Sequence, residues 1–348
     1  MLNNIRIVQI GPMFRIFGGE SGQGGGLSKG LAKTGIKVFS FSRFENRFVR
    51  MLHIIIGVIF RLPKANLVIL HSFGLKAFIM EDLVTEIAVI QNKPVVFRIH
   101  GGAFIEFLSR HPKWVRRVLR RAIFINTPSR YLQDELIKLG FKVEYLPNFI
   151  NLHNFPFIRT LKHRHSLLWV RAFHEIYHPE LAIQTVSRLR QKYSDVKLTM
   201  IGPDQGSMSD CLDLIKELDI AGNINLLGYV PNIELYKYYQ SCQVFLTTTR
   251  YESFGVALVE AGGCGIPCVC VPVGEIPYIW TDRENILFAE RDPGDFADKV
   301  TELFENSALA NRISINASKN AQKYTWENVK PMWLETIERL SKIRYVRN

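Results

Sequence analysis

The sequence predicts an α/β protein of two domains, each built on a parallel β-sheet. Short apolar runs that end in Gly, Ser, His or Pro alternate with helical patterns along the chain, as they do in βαβ units. At 348 residues the chain is long for a single core, and two domains are usual at this length. The alternation is interrupted at 145–165, where Pro, Asn and basic residues are frequent, and this composition is typical of a linker.

Ten strands are predicted, five before this linker and five after it. In chain order they are 5–11, 37–42, 66–72, 93–102, 122–129, 166–173, 196–202, 224–230, 242–249 and 266–274. Helical patterns such as RYLQDELIKLG and HPELAIQTVSRLRQKY lie between some of them. We therefore assign residues 1–155 to a first domain and 156–329 to a second, and we expect a C-terminal helix at 330–348 to pack back on the first domain.

Positive charge is concentrated in the first half of the chain. Residues 1–160 hold 23 Lys and Arg against 9 Asp and Glu, an excess larger than the net +12 of the whole chain. Such an asymmetry suggests an anionic partner. The densest cluster is RHPKWVRRVLRR at 110–121, where apolar residues recur at helical spacing among the cations. The cations that we assign to this basic patch are Lys113, Arg116, Arg117, Arg120 and Arg121.

Two interpretations of the basic patch remain open. It is either a helix that lies on an anionic membrane surface or against an anionic acceptor, or the solvated face of a helix that packs on the core. A nucleic-acid-binding protein is a third hypothesis for the charge, but the basic and aromatic residues form no recognisable DNA- or RNA-binding module. We therefore expect no nucleic acid partner.

Composition and cysteine content predict a cytoplasmic protein. No apolar run reaches the roughly 18 residues that a membrane-spanning helix needs, and the N-terminus lacks the order of a signal peptide. The five cysteines are an odd number in a large chain, which favours a reducing compartment. Cys264, Cys268 and Cys270 lie in an apolar strand pattern without the paired spacing of a zinc site, so we expect buried side chains and no metal. The inner face of the cell membrane is a further location if the basic patch binds lipid.

The stretch YESFGVALVE at 251–260 is the strongest functional signal. It follows an apolar strand and precedes a helix, so Ser253, Phe254, Gly255 and Val256 would present free backbone N–H groups to a phosphate. Glu252 and Glu260, before and within the helix, could each accept hydrogen bonds from sugar hydroxyls. The plain alternative is a capped helix with acidic residues near its start.

The segment 247–279, which contains this stretch, resembles the retaining, nucleotide-sugar-dependent glycosyltransferases of family 4, which have the GT-B fold. The family has Glu, seven residues and Glu, then a small-residue turn, Pro, a strand and a Gly-containing loop. Other segments resemble the family in the same order: GG at Gly18 and Gly19, RIHGG with His100, YLPNFIN and NINLLGYV. The resemblance implies two Rossmann-like domains that face each other across a cleft.

The resemblance also implies a role for each matching residue. Glu252 would contact the transferred sugar and Glu260 the nucleotide ribose, while Ser253–Val256 and the Gly18–Gly19 loop would hold the diphosphate. His100 would hydrogen-bond near the transferred sugar or the acceptor. The implied reaction retains the anomeric configuration, uses a nucleotide-diphosphate sugar as co-substrate and needs no cofactor or metal. The acceptor would be a glycan or a lipid-linked molecule in cell-surface polysaccharide or glycolipid synthesis.

The chain departs from the family after the first strand of the second domain. The family has Gly-Arg followed by Lys-Gly, and Arg171 matches the arginine, but Tyr177 and His178 occupy the Lys-Gly positions. His174, His178 or Arg250 could supply the missing cation, although a lysine and a histidine are not equivalent charges. Separately, a phosphorylase or a nucleotide-sugar hydrolase on the same fold remains an alternative.

Overall fold

The computed structural model describes residues 4–11, 22–42, 44, 46–74, 77–157 and 164–343. Gly18 and Gly19 lie outside these residues. The chain forms two compact units: unit 1 contains 1–149 and 326–348, and unit 2 contains 150–325. Among the described residues, no helix has the length and apolar content needed to cross a bilayer.

Unit 1 is a six-stranded parallel sheet with helices on both faces. Its strands are β1 Arg6–Ile10, β2 Lys37–Phe41, β3 Leu67–Ser72, β4 Val95–Ile99, β5 Phe124–Thr127 and β6 Glu144–Tyr145. Its helices are α1 Gln23–Ala32, α2 Arg47–Arg61, α3 Phe78–Ile90, α4 Ala103–Arg110, α5 Pro112–Leu119, α6 Arg130–Lys138 and α14 Trp326–Ser341. The strands lie in the order β2-β1-β3-β4-β5-β6.

The two faces of this sheet have different helices. Ile54 of α2, Val84 of α3 and Val118 of α5 share one core with the strands, whereas Leu27 of α1 and Trp333 of α14 belong to the core of the opposite face. Burial on both faces explains why the strands consist of continuous apolar runs. The strand order reverses between β1 and β3, because β2 lies outside β1.

Unit 2 repeats this architecture. Its strands are β7 Ser166–Val170, β8 Lys197–Ile201, β9 Ile224–Gly228, β10 Val244–Thr247, β11 Cys268–Cys270 and β12 Leu287–Phe288. Its helices are α7 Pro179–Leu189, α8 Met208–Glu217, α9 Asn232–Ser241, α10 Val256–Gly263, α11 Ile276–Ile279, α12 Pro293–Glu305 and α13 Ser307–Gln322. The order β12-β11-β10-β7-β8-β9, all parallel, reverses between β7 and β10.

These reversals are the topological switch points of the two sheets. Loops that follow strands on either side of a switch point diverge to opposite faces and leave a crevice where ligands bind in open α/β sheets. Two parallel sheets with surrounding helices confirm the predicted α/β fold. The fold therefore directs attention to the residues after β7 and β10 in unit 2, and after β1 and β3 in unit 1.

Candidate active site

The switch point of unit 2 brings together Arg171 and Glu252. β7 and β10 are neighbours, with Val244 opposite Leu167, and each of the two residues lies beyond the end of one strand. The Arg171 guanidinium forms an ion pair with Oε2 of Glu252, and both side chains are largely buried. The two residues are 81 positions apart and meet only because the sheet places β7 beside β10.

Glu252 is fixed from several directions. Its Oε1 accepts hydrogen bonds from the backbone N–H groups of Ser253 at 3.0 Å and Phe254 at 3.3 Å. Its carbonyl oxygen accepts one from the Glu275 N–H at 2.9 Å. Gly274 has a φ of +57°, and a Cβ there would lie 2.1 Å from that carbonyl oxygen. The loop before α11 can therefore approach Glu252 only with glycine at position 274.

The start of α10 is only partly available to an anion. Gly255 precedes the helix in the left-handed region, with φ 83° and ψ 50°. Two of the four predicted phosphate donors, the N–H groups of Ser253 and Phe254, already donate to Glu252. A diphosphate at this terminus would use the N–H groups of Gly255 and Val256, unless it displaces the carboxylate.

Arg171 supplies a second donor at the same place. Burial alone would lower the pKa of Arg171, but the Glu252 carboxylate outweighs it and the pKa is raised, so the guanidinium stays charged. Its Nε is buried and has no hydrogen-bond partner among the described residues. The Tyr177 ring lies 5.6 Å from the guanidinium carbon, which is cation–π distance. Arg171 thus keeps one donor unused beside a fixed carboxylate.

Glu260 is held by partners that the sequence did not reveal. The Asn232 side-chain amide donates to Oε1 and the Tyr239 hydroxyl donates to Oε2, both at 3.0 Å. Burial, followed by the charge of Glu260, raises the pKa of Tyr239 well above its usual value. The phenol therefore remains a donor at any physiological pH. Asn232 and Tyr239 both lie on α9, where a polar spacing of seven residues carries no distinctive signal.

At Tyr177 and His178, where the sequence departs from the family's Lys-Gly, the backbone of His178 has a conformation that suits glycine. His178 lies in the left-handed region, with φ 49° and ψ 58°, immediately before α7. This is a conformation that glycine adopts without strain, which agrees with the Gly that the family has at this position. Burial, and then the charges of Arg250 and Arg291, lower the pKa of His178 to about 4.

The lowered pKa favours the neutral form of His178 near pH 7, and its role as a substitute cation stays a prediction. His174 accepts a hydrogen bond from the Ile176 N–H at its Nδ1, so its ring caps a short helical turn. Arg250 remains as a predicted cation, with its Nε donating to the Glu175 carbonyl oxygen at 3.2 Å. Arg291, which the sequence did not indicate, is a second cation near His178.

The switch point of unit 1 contains a chain of three buried polar side chains. Gln9 of β1 and His71 of β3 are joined by a contact of 2.7 Å between their Nε2 atoms. His71 Nδ1 lies 2.9 Å from Nε2 of His100, which follows β4. Gly11 makes this approach possible, because a Cβ there would lie 2.5 Å from the Cβ of His71.

The direction of these hydrogen bonds follows from the first one. Gln9 Nε2 also donates to the Gly24 carbonyl oxygen at 2.9 Å, which fixes the orientation of the amide, so it donates to His71 Nε2 as well. His71 must then carry its proton on Nδ1 and donate to His100 Nε2. His100 is left with its proton on Nδ1, which has no partner among the described residues. Burial, His71 and Arg98 lower the pKa of His100 well below its usual value, so the ring is a neutral donor.

The basic patch is the outer face of a helix that packs on the core. Val115, Val118 and Leu119 of α5 are buried, so the apolar residues among the cations are not available to a membrane. Two cations of the patch, Arg117 and Arg121, form ion pairs with Asp82. Of the other three, Arg116 donates to the Leu139 carbonyl oxygen, and Lys113 and Arg120 are exposed.

Unit 2 is similar in sequence to known glycosyltransferases. Residues 157–320 match the family model of glycosyl transferases group 1. Curated relatives include the D-inositol 3-phosphate glycosyltransferases of Corynebacterium diphtheriae, 26% identical over 170 residues that cover 47% of this chain and 40% of the relative, and of Stackebrandtia nassauensis, 26% identical over 159 residues that cover 43% and 36%. The matched region thus spans about 40% of the length of these relatives.

Solved structures resemble the whole chain. A sucrose-phosphate synthase from Thermosynechococcus elongatus superimposes with a TM-score of 0.77 at 15% identity, covering 97% of this chain and 99% of that one. The Anabaena protein HepE, in complex with UDP and glucose, gives a TM-score of 0.75 at 14% identity, covering 96% and 100%. The fold is GT-B. Residues 157–320 are therefore similar in sequence to the glycosyl transferases group 1 family.

Proposed function

We propose that the protein transfers a sugar from a nucleotide-diphosphate sugar to a glycan or lipid-linked acceptor, with retention of anomeric configuration and without a metal. The observation that carries this proposal is the pair of buried carboxylates, Glu252 and Glu260, at the sheet switch point of a segment that matches group 1 glycosyl transferases. The HepE structures, which contain UDP or UDP-glucose, support a nucleotide sugar as donor.

In this proposal each part of the donor has a partner in unit 2. Glu260, oriented by Asn232 and Tyr239, accepts hydrogen bonds from the ribose hydroxyls. The diphosphate lies at the start of α10, where the N–H groups of Gly255 and Val256 and the unused Nε of Arg171 donate to it. These donors and the helix dipole take the place of a metal ion. Glu252 accepts from the hydroxyls of the transferred sugar.

The proposed chemical step takes place on one face of the sugar. The bond between the anomeric carbon and the diphosphate oxygen breaks, and the acceptor oxygen bonds to that carbon from the same side. The acceptor hydroxyl gives its proton to the leaving diphosphate oxygen, so no protein base is required. His100 donates from Nδ1 to a hydroxyl of the sugar or the acceptor and remains neutral throughout. We place this reaction in cell-surface polysaccharide or glycolipid synthesis, at the cytoplasmic side, because the basic first half suits an anionic acceptor.

The test is calorimetric binding of a panel of nucleoside diphosphates and their sugars, in the presence of a chelator. One nucleotide should bind the native protein, and Glu260→Gln should weaken it about tenfold to a hundredfold, since hydrogen bonds to a charged group are lost. Glu217→Gln, on an exposed position of α8, is the matched control and should bind as the native protein does. Absence of binding by every nucleotide would refute the proposal.

The same donor then separates the alternative activities. Transfer to an acceptor with the anomeric configuration preserved, followed by NMR, supports the proposed reaction. Sugar release without acceptor would indicate a hydrolase, and release that depends on inorganic phosphate would indicate a phosphorylase. Salt-sensitive binding to random-sequence DNA would favour the nucleic-acid hypothesis instead.

A further inference from the structure

The outer faces of α2 and α3 are apolar and exposed. On α2, Phe48 is 79% exposed and Phe60 is 67% exposed, and on α3 Ile79 is 62% exposed. Leu52 and Ile59 of α2 are exposed as well. They lie on the same helical stripe as Phe48, because Leu52 is four residues after Phe48 and Ile59 is seven residues after Leu52. Large side chains clustered in this way normally mark an interaction surface.

The exposed apolar face of α2 is distinct from the face that packs against the sheet. α2 already has a second apolar stripe, with Ile54 and Val58 buried against the sheet. Gly57 lies directly on Phe41 of β2, since a Cβ there would come within 2.3 Å of the Phe41 ring. The packing of α2 on the sheet is therefore complete, and its outward residues are additional to it. We name the outward residues of α2 and α3 the apolar surface.

Unpaired charges near the apolar surface are cations, because the carboxylates Asp82 and Glu86 of α3 are paired with arginines. Between Asn46 and Met80 the chain contains no Asp or Glu but several Arg and Lys. On α3, Glu86 is paired with Arg121, which follows α5. Lys113 of α5 and Arg120 at its C-terminal cap are exposed and have no carboxylate within ion-pair distance among the described residues. Because α2, α3 and α5 cover the same face of the sheet, these cations border the apolar surface.

An apolar surface bordered by cations matches the interface of an anionic bilayer. A second copy of this chain fits less well, because a symmetric contact would place cations against cations with few carboxylates to pair them. The 15 residues of α2 extend about 22 Å, which is shorter than the roughly 30 Å of a bilayer core. α2 is therefore too short to cross a bilayer, and a membrane contact of this helix would run along the surface.

We propose that the apolar surface of α2 and α3 inserts into the interfacial region of an anionic lipid bilayer, with the cations of α5 against the lipid phosphates. The contact differs from the one expected from the sequence, since α5 contributes charge only and α2 contributes the apolar side chains. Membrane binding would bring the protein close to a lipid-linked acceptor, and this part of the inference rests on the proposed function. Its test requires no catalysis.

The experiment is flotation of the native protein with vesicles of phosphatidylcholine alone or mixed with an equal part of phosphatidylglycerol. We expect binding to the mixed vesicles, and a loss of at least about tenfold in partitioning for Phe48→Ser/Leu52→Ser/Phe60→Ser. Leu212→Ser/Ile233→Ser removes two exposed apolar side chains of unit 2 and should bind as the native protein does. Lys113→Glu/Arg120→Glu should weaken binding, and added salt should weaken the native protein in the same way.

Three outcomes would overturn this proposal: no binding of the native protein to the mixed vesicles, equal losses in both serine variants, or a dimer in sedimentation that only the α2 variant dissolves. The last outcome would make a second copy the occupant. Since the α2 variants leave unit 2 unchanged, their nucleotide binding should equal that of the native protein. Native-like hydrogen exchange of the β3 and β4 amides shows that unit 1 is folded in these variants. Vesicle binding by Glu260→Gln should be normal, so a failure of the proposed function would be recognised separately.

Discussion

Arg171 and Glu252 depend on each other at the level of single side chains. Because both are largely buried, Arg171→Met leaves an uncompensated carboxylate, and we expect it to lower the free energy of unfolding of unit 2 by about 3–5 kcal/mol. Arg171→Met/Glu252→Gln should be more stable than Arg171→Met alone, because the charge is removed together with its partner. Urea unfolding of the two single variants and the double variant measures this coupling. Additive losses would show that the ion pair contributes nothing beyond its separate residues.

His71 determines which nitrogen of His100 carries the proton. We expect ¹⁵N NMR of the native protein to show His100 protonated at Nδ1 only, because His71 donates to its Nε2. In His71→Leu this donor is lost, so both neutral forms of His100 should appear and turnover should fall with little change in the KM for the donor. His53→Leu, a histidine of α2, is the control and should leave the His100 signals unchanged. A native His100 protonated at Nε2 would contradict the assigned direction of the hydrogen bond from His71 to His100.

The sequence could reveal the main carboxylates but not the side chains that orient them. Glu252 and Glu260 belong to one short stretch with a family resemblance, so their positions are readable. Gln9, His71 and His100 lie in or directly after three different strands, with 62 and 29 positions between successive residues, and their contact depends on strand register. Register is a property of the folded sheet, and isolated polar residues in apolar strands do not predict it.

At the level of secondary structure, the sequence predicted the central strands well because continuous apolar runs have few alternatives. β6 and β12 were missed, since each contains only two residues and lies at a sheet edge, where little burial is required. The prediction for the basic patch was also incomplete. Periodicity identified a helix at α5, but both a core-packed helix and a membrane helix have apolar residues at this spacing.

His178, the residue that precedes α7, allows the contribution of backbone strain to the stability of unit 2 to be tested. A residue with a side chain is strained by about 1 kcal/mol in the left-handed region, so His178→Gly should stabilise unit 2 by about that amount or slightly less. Asp219, which is exposed after α8 and has a φ of 52°, is the matched site, and Asp219→Gly should give a similar gain. Thermal unfolding of both variants measures the effect. A loss in His178→Gly alone would mean that the imidazole stabilises the start of α7.

For the molecule as a whole, the buried groups of unit 1 predict its response to pH. Burial raises the pKa of Glu81 to about 8, with Ser72 acting in the opposite direction. The folded state therefore retains a proton that the unfolded state loses above pH 4.5, and stability falls as the pH rises from 4.5 to 8. Burial and Arg98 lower the pKa of His71 to about 3. For this group stability is full above pH 6.5 and falls as the pH decreases towards 3.

Because the two pH dependences are opposite, the combined contribution of Glu81 and His71 to the stability of unit 1 is largest between pH 4.5 and 6.5. Glu81→Gln should abolish the decline above this range and stabilise unit 1 by about 3 kcal/mol at pH 7. Hydrogen exchange of the β3 and β4 amides at several pH values measures unit 1 without interference from unit 2. Glu135→Gln, a carboxylate near the surface of α6, is the control, and an equal effect from it would disprove the role of Glu81.

The division of the chain into units has a consequence for its synthesis. The core on one face of the unit 1 sheet contains Ile7 and Ile69 together with Val329, Trp333 and Ile337 of α14. A ribosome completes these last residues only after all of 150–325, so the first sheet to emerge waits for its final helix while the second unit already has its entire sequence. The unit encoded in the middle can thus finish folding first, in contrast to the N-terminal-first order that is usual for domains. A chain whose translation stops before α14 would be damaged in the part that was made earliest.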